Sequence, residues 1–436
     1  MVAEGGGSGD AATSRPPAGD GADRSPVELG TAGRDVVARS AWSFIGQGLS
    51  SSSNFILSVL VLSTGSPSQF ATLSIVLTIY TFFLLLLRAA VGLPVTLLYS
   101  KDLGQGRKEE LRAAAGVTAA ASVVVAVAVL MWALASSSDR GQWLALGALL
   151  PMLLLQDTAR YACFALGRPR AAAEADGLWV TLQVVGSAAV LLLVADAAAA
   201  TAFLVVWAGA GALSGCFLLG RMGLRPALGH GYRWLGAHRG LSGRLVTDYL
   251  VGAGSHYAVF LALAVVAGSG ELGRLKAAQT FLGPLIVLLL GGAVFGVPES
   301  VRAGGDPARL WRLTLRLAGA LVAAAVVCGS VVYLALPVVG PATFPDAWET
   351  ARPAIPLLTI FAAAVGASTG ATSGLRAMHE NAWILRVRFL TAPVLVLGSI
   401  PASGLWGVNG ALAVLSLTEW AVVALSWRRL RQVLVR

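Results

Sequence analysis

Between residues 41 and 427 the chain is a succession of apolar stretches, each about as long as a bilayer is thick, parted by short polar breaks. That pattern decides the class of structure, because backbone N–H and C=O groups in lipid must be satisfied within each crossing segment, as a helix does. Twelve stretches are expected to cross: 41–63, 71–94, 112–135, 143–166, 176–195, 200–221, 245–267, 273–297, 311–336, 353–375, 382–400 and 404–427. Only 12% of residues are charged, against about 25% for a soluble globular chain, so a soluble enzyme fold is excluded. The expected fold is all-α and integral to the membrane, with about twelve transmembrane helices in two six-helix lobes.

The polar remainder divides the chain. Residues 1–40 hold no apolar run of signal-peptide type and read as a disordered cytoplasmic tail. The N-terminal lobe is expected over 41–222, a basic cytoplasmic linker over 223–244, the C-terminal lobe over 245–427, and a basic cytoplasmic tail over 428–436. Cys163, Cys216 and Cys328 lie inside apolar runs without paired spacing and read as reduced packing residues. No CxxC, HExxH or phosphate-loop motif occurs, so no cofactor or metal is expected.

Charge sets the orientation. Lys101, Arg107, Lys108, Arg168, Arg170, Arg225, Arg233, Arg239, Arg309, Arg312, Arg428 and Arg431 fall on one side; the other carries only Arg140, Arg274, Lys276 and Arg352. By the positive-inside rule the rich side is cytoplasmic, with both termini there, in a multi-pass protein of the cell membrane.

The two halves also repeat. A shift of 204 residues lays Gly92-Leu93-Pro94 on Gly296-Val297-Pro298, Gly48 on Gly252 and Ser51 on Ser255 without a gap. Six crossings per half give parallel repeats about an axis along the membrane normal, with a site expected at mid-membrane between them. Pro94 and Pro298 break the second crossing of each half, which fits either a packing kink or a hinge lining a cavity.

The run Ala41 to Ser50, with Asn54-Phe55, Leu87-Arg88-Ala89, Gly92-Leu93-Pro94, Leu155-Gln156-Asp157 and Arg160-Tyr161, resembles the opening of Wzx-like polysaccharide transporters of the MATE/MurJ (MOP) exporter superfamily. Gly167-Arg168-Pro169, Ala175 to Trp179 and Leu375-Arg376-Ala377 extend the resemblance along nearly the whole chain from residue 40. It implies an alternating-access bundle that moves undecaprenyl-pyrophosphate oligosaccharide between leaflets for surface polysaccharide synthesis. The lipid-linked saccharide and the bilayer are then the partners, with polymerase and glycosyltransferase machinery as further candidates.

Ionisable residues inside crossings are costly and mark candidate sites. Arg88 has no acidic neighbour at helical spacing on its own crossing; its guanidinium suits a pyrophosphate, and snorkelling to the interface is the competing account. Asp157 and Arg160, three apart, are expected to pair on one helix face. Asp176, near Arg168 and Arg170, is expected to cap the start of its crossing or clamp the loop before it, and Glu299 to pair with Arg302. Asp248, Ser255 and His256 on the seventh crossing and Gln47, Ser51 and Asn54 on the first form polar stripes. If the stripes face one another they line a seam for sugar hydroxyls or a coupling cation; helix packing is the equal alternative. Glu419 has no partner on its own crossing, and Trp143, Trp179, Trp348 and Trp406 are expected in an interfacial belt.

These readings give a transporter without covalent chemistry. A multidrug or small-molecule exporter of the same superfamily is the alternative. A membrane glycosyltransferase, polymerase or ligase is less favoured, since the longest exterior loop, 337–352, carries few charges.

Overall fold

The computed structural model describes residues 26–99, 107–135, 139–194, 196–303, 306–343 and 345–435, and these are almost wholly helical. Residues 1–25 of the expected tail lie outside them, and helix α1 runs Pro26–Thr64. Ser66 then caps α2 (Pro67–Leu87), its hydroxyl accepting from Gln69 N–H while the Gln69 side chain accepts from Ser66 N–H. A π-helical turn (Arg88–Gly92) joins α2 to α3 (Leu93–Tyr99). Helices α4 (Arg107–Ala135), α5 (Arg140–Ala165), α6 (Pro169–Leu193) and α7 (Asp196–Met222) complete the first half.

The second half begins with α8 (Leu228–Tyr249), a second π turn (Leu250–Gly254) and α9 (Ser255–Val266). Next come α10 (Ser269–Phe281), α11 (Gly283–Ala303), α12 (Pro307–Thr343), α13 (Pro345–Ala351), α14 (Ile355–Ala377) and α15 (Asn381–Leu434). Gly407, at φ 56° and ψ −138°, breaks α15 into two arms, which coincide with the expected crossings 382–400 and 404–427.

Each of the twelve expected crossings coincides with helix. Among the described residues, eight helices are long and apolar enough to cross a membrane on length and composition alone, and Gly48–Thr64 is a shorter apolar segment. The chain is a multi-pass membrane protein. Helix α5 is not among the eight because Gln156, Asp157 and Arg160 dilute it; all three are buried by protein instead.

Packing repeats between the halves. Helix α4 lies against α5, α5 against α7 and α1 against α6; correspondingly α12 lies against α14, α14 against α15 and α9 against α15. The lobes meet where α2 touches α9 and α10 and where α1 touches α10 and α11. One apolar cluster runs through both, from Leu146, Leu150 and Trp207 to Leu358, Leu412 and Leu415.

Three expectations are corrected. The linker 223–244 is mostly helix: α8 packs on α4, with Trp234 buried and its Nε1–H donating to the Tyr99 hydroxyl at 3.0 Å. The segment expected as the longest exterior loop is helical in α12 and α13. Trp143, Trp179 and Trp348 sit in the core rather than a belt, and Trp179 donates to the Trp207 carbonyl at 2.9 Å.

Candidate functional site

The break at Pro94 shapes the first cluster. Proline lacks an N–H and its ring crowds the carbonyl four residues back. The helix widens just before it: Leu93 N–H donates to the Arg88 carbonyl, five residues away. Gly92 then lies so close to α5 that a Cβ would sit 2.9 Å from the Tyr161 ring. The widened turn carries Arg88 toward α5, where its Nε and Nη2 donate to the two Asp157 carboxylate oxygens at 2.8 and 2.7 Å. The partner missing from its own helix comes from another. The Nε/Nη2 edge of the guanidinium is thus taken by Asp157, and the outer Nη1/Nη2 edge keeps its own N–H donors.

Asp157 also accepts from Arg160 Nη1 at 3.3 Å, the pairing expected from spacing. Arg160 Nε approaches Asp176 Oδ2 at 3.1 Å, outside hydrogen-bond geometry, and Gln156 donates to Asp176 Oδ1 at 3.1 Å. Asp176 is not a cap: α6 begins at Pro169, so Asp176 lies two turns inside and is buried against α5 and Gly46 of α1. Two arginines and two aspartates make this quartet neutral.

The second cluster belongs to the C-terminal lobe. Glu419, buried on the second arm of α15, accepts from Arg388 Nη1 and Nη2 on the first arm at 2.7 and 3.0 Å. Ser368 of α14 donates to it at 2.8 Å. His256 Nε2 stands 4.0 Å from the same carboxylate, while its Nδ1 lies 3.1 Å from the Gly252 carbonyl in the second π turn. Ser255 donates to the Val251 and Gly252 carbonyls, and Asp248 is exposed.

The first and seventh crossings therefore do not share one polar seam. The polar face of α1 meets α10 and α11 instead, because α9 turns Ser255 and His256 into its own lobe. A cavity of about 410 Å³ opens at that meeting, lined by Ser51, Ser52, Asn54 and Ser58 of α1, Thr81 of α2, and Lys276, Gln279 and Thr280 of α10. Ser52, Ser58, Thr81 and Thr280 each donate to the carbonyl four residues back on their own helix. Their oxygens consequently remain as acceptors.

Among the described residues, Lys276 is the only charged one lining the cavity. It makes no ion pair among the described residues, and its ammonium lies 5.5 Å from the centre of the Phe260 ring. The charge pattern alone sets Lys276 among the few charges of the side opposite the arginine-rich one. The structure places it two turns into α10, within the stretch 273–297, and a lysine inside an expected crossing was the signal that would have found it. Gln47 and Pro298 have side chains outside the described residues, as does Arg302, the expected partner of Glu299.

No protein-family profile and no curated protein matches the chain in sequence. Solved structures do match its fold. An inward-facing multidrug resistance MATE family transporter of the MOP superfamily superposes with TM-score 0.67 at 13% identity, over 90% of this chain and 98% of that one. The lipid II flippase MurJ, in an inward closed conformation, gives TM-score 0.67 at 10% identity, over 91% and 87%. An outward-facing MATE structure gives 0.57 at 12%, over 92% and 95%. The architecture is thus the all-helical membrane transporter fold shared by MATE transporters and MurJ.

Proposed function

We propose that this protein is an alternating-access transporter of the cell membrane that carries a lipid-linked saccharide, of the undecaprenyl-pyrophosphate class, from the cytoplasmic to the outer leaflet. The observation carrying the reading is the cavity between the lobes. It offers one uncompensated cation and a wall of hydroxyl oxygens and amides. Saccharide hydroxyls are donors that suit such acceptors, and an ammonium suits a phosphate oxygen. The volume falls within the range of small-molecule sites, roughly 300–1,000 Å³.

In this reading Lys276 takes the anionic group, Asn54 and Gln279 take sugar hydroxyls, and Arg88 with Asp157 holds the widened turn beside the cavity wall. The better fold match to inward-facing than to outward-facing MATE suits a state that loads from the arginine-rich side. A small-molecule exporter is the second reading, supported by the equal match to a multidrug MATE transporter.

The test is flipping of a fluorescent undecaprenyl-pyrophosphate saccharide by the purified protein in liposomes, read by protection from an external quencher. Lys276→Gln is expected to slow flipping by about tenfold, the worth of one charge-assisted hydrogen bond, with an unchanged thermal unfolding profile. Flipping at the parent rate removes Lys276 from the site. No flipping by the parent protein, together with efflux of cationic dyes, establishes the exporter instead.

A further inference from the structure

Away from the cavity, helix α12 carries Arg309, Arg312 and Arg316 at spacings of three and four, all exposed on one stripe. With Glu299 and Ala303 of α11 and Leu313 they line a recess of about 580 Å³ at the arginine-rich end of the bundle. None of the three arginines forms an ion pair among the described residues. Asp306, the nearest acid in sequence, is already engaged, accepting from the backbone N–H groups of Ala308 and Arg309 at 2.9 and 3.1 Å. The recess thus sets three guanidiniums against the single carboxylate of Glu299.

What lies along the helix above the arginines identifies the occupant. Continuing the same stripe by helical spacing leads through exposed Ala320 and Ala323 to Val327, Val331, Leu334 and Val338. These last four are 61%, 57%, 70% and 81% exposed, so nothing among the described residues covers them. On the neighbouring face, Trp311 meets Trp427 edge-on with ring centroids 5.2 Å apart, the kind of aromatic pair that marks the headgroup level. A cationic recess at headgroup depth therefore runs without interruption into an apolar track along the bilayer.

From this we infer that the recess and track together hold one anionic phospholipid, its phosphate between Arg309, Arg312 and Arg316 and an acyl chain along Val327 to Val338. A soluble phosphate would use the recess and leave the track bare. A protein partner would have to enter the hydrocarbon to follow it. An anionic lipid of the adjoining leaflet uses both, its headgroup drawn by arginines near the membrane surface.

The experiment is native mass spectrometry of the full-length protein in detergent, titrated with phosphatidylglycerol or phosphatidylcholine. Retention of phosphatidylglycerol in preference to phosphatidylcholine is expected. The triple variant Arg309→Gln, Arg312→Gln, Arg316→Gln should lose at least about tenfold of that preference. Lysines at the same three positions should keep most of it, and Arg428→Gln with Arg431→Gln, on the other side of Trp311, should leave it unchanged. Should the triple variant not accumulate, Arg312→Gln alone is expected to show a partial loss. An unaltered preference in the glutamine variants overturns the assignment, as does displacement of the lipid by equimolar inorganic phosphate, which would leave the track without a role.

Discussion

Asp157→Ala is expected to lower the stability of the protein by about 3–5 kcal/mol, the range for removing one member of a buried ion pair. Asp157 binds the Arg88 guanidinium through both oxygens and shares one of them with Arg160, so its loss leaves two buried cations facing one another with only Asp176 nearby. Neither arginine can reach water cheaply: the side chain of Arg160 is 4% exposed and that of Arg88 is 19% exposed. Thermal unfolding of the purified protein is the measurement. The discriminating control is the double variant Arg88→Met, Asp157→Leu, which removes both charges of the bidentate pair and should recover most of the loss. Equal melting of Asp157→Ala and the parent would show that the quartet contributes nothing to the fold.

The second large effect is expected at Gly410. A Cβ there would stand 1.9 Å from the carbonyl oxygen of Ala402 and 2.5 Å from its carbonyl carbon. Both are backbone atoms, which no rotamer change can move aside. Gly410→Ala should therefore push the two arms of α15 apart at their closest approach, at a cost of at least about 3 kcal/mol, the upper end for overpacking. Gly407→Ala acts on the same corner by another route. Its φ of 56° disfavours any side chain, and a Cβ would meet Glu271 Oε2 at 2.4 Å, the atom that accepts from Val408 N–H at 2.8 Å. Gly398→Ala, whose Cβ would lie 3.4 Å from Val414 Cγ1, is the control on the same hairpin and should be nearly silent. Expression level and melting temperature separate the three, and a silent Gly410→Ala would mean that the arms are not held this closely.

The Gly407 corner also shows where reading along the chain stops. The crossings 382–400 and 404–427 were visible as apolar runs, yet nothing in their composition says that Arg388 of one meets Glu419 of the other. The same holds for Arg88 and Asp157, 69 residues apart. Only Asp157 and Arg160, at a helical spacing of three, were legible as a pair, since helix geometry alone brings such residues together. The Asp176 expectation failed for a related reason. Hydropathy marks where lipid begins, whereas α6 starts at Pro169, so the residue expected at a helix end is in its interior.

The amino-acid sequence by itself determined the class of fold and where its apolar helices lie, because lipid forces each apolar stretch to satisfy its own backbone. The tertiary structure decided which polar residues neutralise one another and which stand without an ion-pair partner among the described residues. A helix face is fixed by period, but the neighbour it meets is fixed by packing. It is packing that turned His256 toward Glu419 and left Lys276 in the cavity between the lobes.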